Sequence, residues 1–148
     1  MAAAQYSVEG RRLGQGRTLQ LTSNGIDITQ PCVDCSITVG AENTNVRAIT
    51  IQLKDARGND INYVETVEII VYGAADMKSF AGTGGSTGLA IGTDGALLAV
   101  VAKKYFLATS EADGDIDLTW TDTGTESVAV GVRLPNGRVV VTAAFANT

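Results

Sequence analysis

The sequence predicts an all-β protein: an antiparallel β-sandwich of about seven strands with an extended N-terminal arm. Three observations carry that expectation. The C-terminal stretch contains three consecutive runs in which apolar residues alternate with polar or small ones, namely Ile116, Leu118, Trp120; then Val128, Val130, Val132, Leu134; then Val139, Val141, Ala143, Phe145. Period-two alternation is the mark of strands with one buried face. Clusters of Gly, Pro, Asn and Asp separate the runs, as in Pro135-Asn136-Gly137, and no convincing amphipathic helix pattern occurs between them.

Residues 1–45 are expected to be the arm. They hold the Gly-rich, basic segment Gly10-Arg11-Arg12-Leu13-Gly14-Gln15-Gly16-Arg17, a short strand over Thr18–Thr22, and a polar stretch through Thr44-Asn45. Apolar residues there are too sparse to build a core. The sandwich is expected over 46–148. Its first strand is Val46–Leu53, with Ile49, Ile51 and Leu53 on one face. A polar turn, Asp55–Asp60, leads to Val64–Tyr72 with Val67, Ile69 and Val71 inward. Gly82–Gly88 reads as a flexible loop, Leu89–Ile91 as a short strand, and Thr93-Asp94-Gly95 as a turn. Ala96–Ala102 and Tyr105–Ala108 form the next strand or pair, divided by Lys103-Lys104.

Composition narrows the functions. The chain has 148 residues, 45% of them hydrophobic but only 5% aromatic, so the core must be aliphatic. That suffices for one independent domain without disulfide staples. The net charge of −5 points away from nucleic acid as a partner. Histidine is absent, which removes Ser-His-Asp and Cys-His catalysis and His-ligated zinc together. The first ten residues lack the apolar stretch of a secretory signal, and the longest apolar run, Ala96–Ala102, is too short to span a bilayer. No membrane partner and no cofactor are expected.

Cys32-Val33-Asp34-Cys35 has the CxxC spacing of redox and zinc sites. Zinc needs about four ligands, and no other cysteine or histidine completes the set. The simpler reading is two free or bridged cysteines. Glu111–Asp117 concentrates four carboxylates in seven residues, making Asp113, Asp115 and Asp117 candidates for a cation. The glycine and glutamate positions of an EF-hand loop are missing, so a solvated acidic edge is the simpler expectation. Gly82–Gly88 is not followed by the Lys-Ser/Thr of a phosphate loop. Arg11, Arg12, Leu13 and Arg17 are expected to contact another protein subunit. A carboxylate pair for glycoside hydrolysis remains open on residue types alone, but few aromatics are available to stack on a sugar.

The segment Ile49–Ile61, with its Lys54-Asp55-Ala56-Arg57-Gly58-Asn59 turn, resembles the opening of bacterial immunoglobulin-like domains of the invasin type. The continuation resembles small Ig-like structural proteins of tailed bacteriophages. There, segments like Ile91–Gly95 and Thr109–Asp117 precede a closing hairpin like Leu134–Arg138. The resemblance covers roughly 46–146 and leaves the arm and its CxxC outside. It implies an Ig-like sandwich and a non-enzymatic virion component, foremost a capsid decoration (cement) protein. The implied partners are the major capsid protein or other virion subunits, in a homo-oligomer or symmetric array on the capsid surface. A tail, neck or fibre component, or an Ig-like adhesion module, is the alternative.

Overall fold

The computed structural model describes residues 31–148 and, as bare strand positions, Thr22–Ser23 and Ile26–Asp27. Those two dipeptides, β1 and β2, pair antiparallel within a unit that ends at Pro31. Of the expected strand Thr18–Thr22, only Thr22 is described. Arg11, Arg12, Leu13 and Arg17 lie outside the described residues.

Cys32–Thr148 is a separate compact unit, and it is an antiparallel sandwich. One sheet has four strands in the order β3 (Asp34–Val39), β4 (Val46–Lys54), β9 (Asp115–Thr121), β6 (Gly88–Ile91). The other has five, in the order β11 (Val139–Val141), β10 (Ala129–Arg133), β5 (Thr66–Tyr72), β8 (Tyr105–Thr109), β7 (Ala96–Val101). The sandwich thus has nine strands where about seven are expected. No helix occurs among the described residues.

The inward faces follow the alternation. Ile49, Ile51 and Leu53 of β4 and Ile116, Leu118 and Trp120 of β9 come from one sheet. Val67, Ile69 and Val71 of β5 and Val130 and Val132 of β10 come from the other. Register makes this coherent: Ile49 faces Leu118 and Ile51 faces Ile116 across one ladder, while Val71 faces Val130 and Ile69 faces Val132 across the other. Each fully buried side chain of this kind contributes about 1.5–3 kcal/mol of transfer free energy. Trp120 is fully buried and meets Phe145 edge to face, with ring centroids 5.3 Å apart.

Two expectations shift. The sandwich begins before residue 46, because β3 pairs along its whole length with β4, from Asp34↔Lys54 to Val39↔Ile49. Cys35, Ile37 and Val39 alternate with Ser36 and Thr38 and pack on the core. A two-residue turn at Thr44-Asn45, both with positive φ, carries the chain from β3 to β4. That geometry matches the twist of a hairpin. The last apolar run changes parity: Val140 pairs with buried Val132 and packs inward, whereas Val139 and Val141 share the outer face. Phe145 then returns to the core through a bridge to Val128.

The chain end is tied to the opposite sheet. Arg47, on the inward face of β4, sits over the Phe145 ring at 6.0 Å. Its guanidinium donates to the carbonyls of Gly40 and Ala146 and to Asn147 Oδ1. Asn147, 1% exposed, donates through Nδ2 to the carbonyls of Asn45 and Asp122. A buried amide with both ends satisfied is the condition under which such a group stabilises.

Candidate functional site

Four features of the sandwich combine chemistry with position. The first is the Gly82–Gly88 segment. Glu126 accepts the backbone N–H groups of Thr83, Gly84 and Gly85 at 2.8–3.0 Å, together with the Thr83 hydroxyl. Asp122 accepts the N–H of Ser86 at 2.9 Å, and Lys103 Nζ donates to the Ser86 carbonyl at 2.7 Å. The expected flexible loop is therefore anchored at three points. Its successive N–H groups do form an anion cradle, and the anion is the chain's own carboxylate. Burial pushes the Glu126 carboxyl up, but the Thr83 hydroxyl and the N–H groups outweigh it and bring the pKa down to about 2.

Cys32 and Cys35 are both free and buried. Burial is the main influence on each thiol, pushing Cys32 up to about 11 and Cys35 up to about 12, with Glu65 and Asp34 respectively adding negative charge nearby. Nucleophilic and metal-binding cysteines need the opposite environment. Cys35 is an inward residue of β3, and Cys32, just ahead of that strand, packs on the same core.

The acidic run lies at one end of the four-stranded sheet. Carboxylate oxygens of Asp115 and Asp117 come within 4.8 Å of one another and of Asp94, which the β6–β7 turn delivers. Asp113 is not one of the three; it accepts the N–H of Asp115 at 3.3 Å. Instead it borders, with Gln52, Asp60, Asn62, Asp94 and Glu111, a shallow depression of about 730 Å³. Asp117 is already satisfied, accepting the hydroxyls of Thr50 at 2.9 Å and Thr93 at 2.5 Å. The Asp115 Oδ1 atom is buried without a hydrogen-bond partner. Burial first, then the charges of Asp117, Asp113 and Asp94, raise the Asp115 pKa. Three such oxygens suit a hard cation in size and charge, but the Asp117 carboxylate is already held by the Thr50 and Thr93 hydroxyls. No sequence spacing brings Asp94 to this group; only the pairing of β6 with β9 does.

The last feature is the outer surface of the five-stranded sheet. Sandwich sheets ordinarily turn polar residues outward, and the four-stranded sheet does so with Ser36, Thr38, Thr50, Gln52, Thr119 and Thr121. On the other sheet the register aligns Leu98 with Leu107, and Ile70 with Tyr105 and Gly131. Gly131 makes room for the Tyr72 ring, since a Cβ there would stand 2.6 Å from Tyr72 Cε2. The polar groups amid this surface neutralise one another. Glu68 meets Arg133 at 3.4 Å and accepts the Tyr105 hydroxyl. At the sheet's margin β7 pairs, among the described residues, only with β8, and Leu98, Val100 and Val101 are 63%, 52% and 47% exposed. Leu97 alone of that strand packs on the core.

Comparison with protein-family models, with curated proteins and with solved structures finds no match to this chain.

Proposed function

We propose that this chain is a non-enzymatic structural component of a tailed-phage virion, a decoration (cement) protein bound to the capsid exterior. The observation that carries the reading is the surface of the five-stranded sheet: a half-apolar face ending in an exposed apolar strand with an open edge. Such a surface is the kind that joins protein to protein. The tightly hydrogen-bonded loops and aliphatic core make a stiff body, and repetition on a symmetric shell multiplies modest contacts into strong retention. The resemblance over residues 46–146 supports the same class. The basic segment Arg11-Arg12-Leu13 with Arg17 supplies a second contact, suited to an acidic surface on a capsid subunit.

The test is quantitative mass spectrometry of purified particles. Copy number on the scale of the major capsid protein supports the cement role. A handful of copies per particle places the chain in the neck, tail or fibre. Absence from particles, combined with glycan or receptor binding by the isolated protein, favours the adhesion module.

A further inference from the structure

Edge strands of soluble β-proteins are usually guarded. A lysine, a proline, an inward charge or a covering loop keeps the free row of N–H and C=O groups from recruiting another strand. β6, the corresponding margin of the other sheet, is only four residues long. β3 carries Asp34, which meets Arg138 at 3.2 Å. β7 has neither protection: Ala96-Leu97-Leu98-Ala99-Val100-Val101 contains no charge and no proline, and it is six residues long. Its one guarding device is a bulge between Ala99 and Val101, at the end nearer the turn, which leaves Ala96–Ala99 in regular register.

We propose that β7 is a self-pairing edge, at which two copies of this chain join antiparallel about a two-fold axis and merge their five-stranded sheets. The backbone of an open edge is complemented by another extended strand, and an antiparallel two-fold makes the strand its own complement. Charge selects this orientation. The approach to β7 is acidic, through Asp94, and its exit is basic, through Lys103-Lys104. Antiparallel pairing sets the acidic end of each strand beside the basic end of the other, whereas parallel pairing sets like beside like. The uncharged strand between them places no like charges opposite one another. Leu98 and Val101, which share the outer face because the bulge at Val100 shifts the alternation, then cover their counterparts across the joint. This inference names one partner for the assembly surface of the preceding section and rests on that reading.

Sedimentation equilibrium of the full chain over a wide concentration range tests it, with hydrogen exchange of the Ala96–Val101 amides as a second readout. The expected result is a monomer–dimer equilibrium with β7 amides protected in the dimer. Leu98→Lys with Val101→Lys, both at exposed positions of the outer face, is expected to raise the dimer dissociation constant by about tenfold or more while leaving the monomer's melting curve unchanged. Lys104→Glu weakens the dimer and Asp94→Lys in the same chain restores it, because the end charges are exchanged. Lys103 is left alone in this test, since its amine holds the Ser86 carbonyl. A wild-type chain that stays monomeric, or a dimer that survives both lysines, overturns the proposal. Particle incorporation separates the two ideas. A chain that is monomeric in solution yet present in particles leaves the virion reading standing. A dimer absent from particles leaves this one.

Discussion

Glu126 is the residue whose charge does most for local structure. Its carboxylate holds three consecutive backbone N–H groups and a hydroxyl, and its pKa falls from an ordinary 4.5 to about 2. A group depressed in the folded state contributes its stability fully above the unfolded pKa and loses it as pH falls through the folded one. The wild-type protein should therefore lose stability as pH drops from about 4.5 toward 2. Glu126→Gln should be less stable at neutral pH, and its melting temperature should depend less on pH within that acid window. Thermal melts of both proteins from pH 7 down to pH 2 check this. Asp55, whose N–H partners Arg57 and Asn59 outweigh the effect of burial, adds a slope of the same sign. Asp115 has the opposite sign. Its raised pKa makes ionisation unfavourable in the fold, so its contribution declines as pH rises above the ordinary carboxylate range.

At the scale of elements, strand recognition depended on how apolar each inward position is. β4, β5, β9 and β10 carry Ile, Leu, Val or Trp on their buried faces and were legible from period alone. The inward positions of β3 are Cys35, Ile37 and Val39, preceded by polar residues and by a CxxC that invites a chemical reading. The same alternation is present there, at lower amplitude. The parity change in the last run was not legible, because Val139, Val140 and Val141 are identical in kind and only the pairing of Val140 with Val132 decides which faces inward. For the candidate surfaces, Asp115 and Asp117 were visible as neighbours on one strand, but Asp94 joins them through a non-local pairing. The Glu126 cradle joins residues about forty positions apart, beyond any motif. Placement of β3 has a consequence for truncation. Removing residues 1–31 should leave a domain that melts cooperatively. Removing 1–40 takes away β3 and exposes the edge of β4, which should lower the melting temperature markedly. Calorimetry of the two truncations separates these outcomes, and equal curves would show that β3 contributes little.

At the scale of the whole sandwich, the two outer faces differ in kind. One sheet presents hydroxyls, amides and a crowd of carboxylates to water; the other presents Leu98, Leu107, Ile70 and two tyrosines around a neutralised ion pair. Under the proposed assembly through the second face, the carboxylates of the first stay clear of the joint, and their mutual repulsion opposes stacking of one body on the next. The buried cysteines offer a way to watch this body open. With both thiols enclosed and held protonated at neutral pH, a thiol reagent can react only when β3 lifts from β4 or the sandwich comes apart. The pair is thus a built-in clock. If labelling at low denaturant is insensitive to urea, the edge strand frays by itself. If its rate climbs with urea as steeply as global unfolding does, the two sheets part as one unit, and every recorded modification marks a complete unfolding of the molecule.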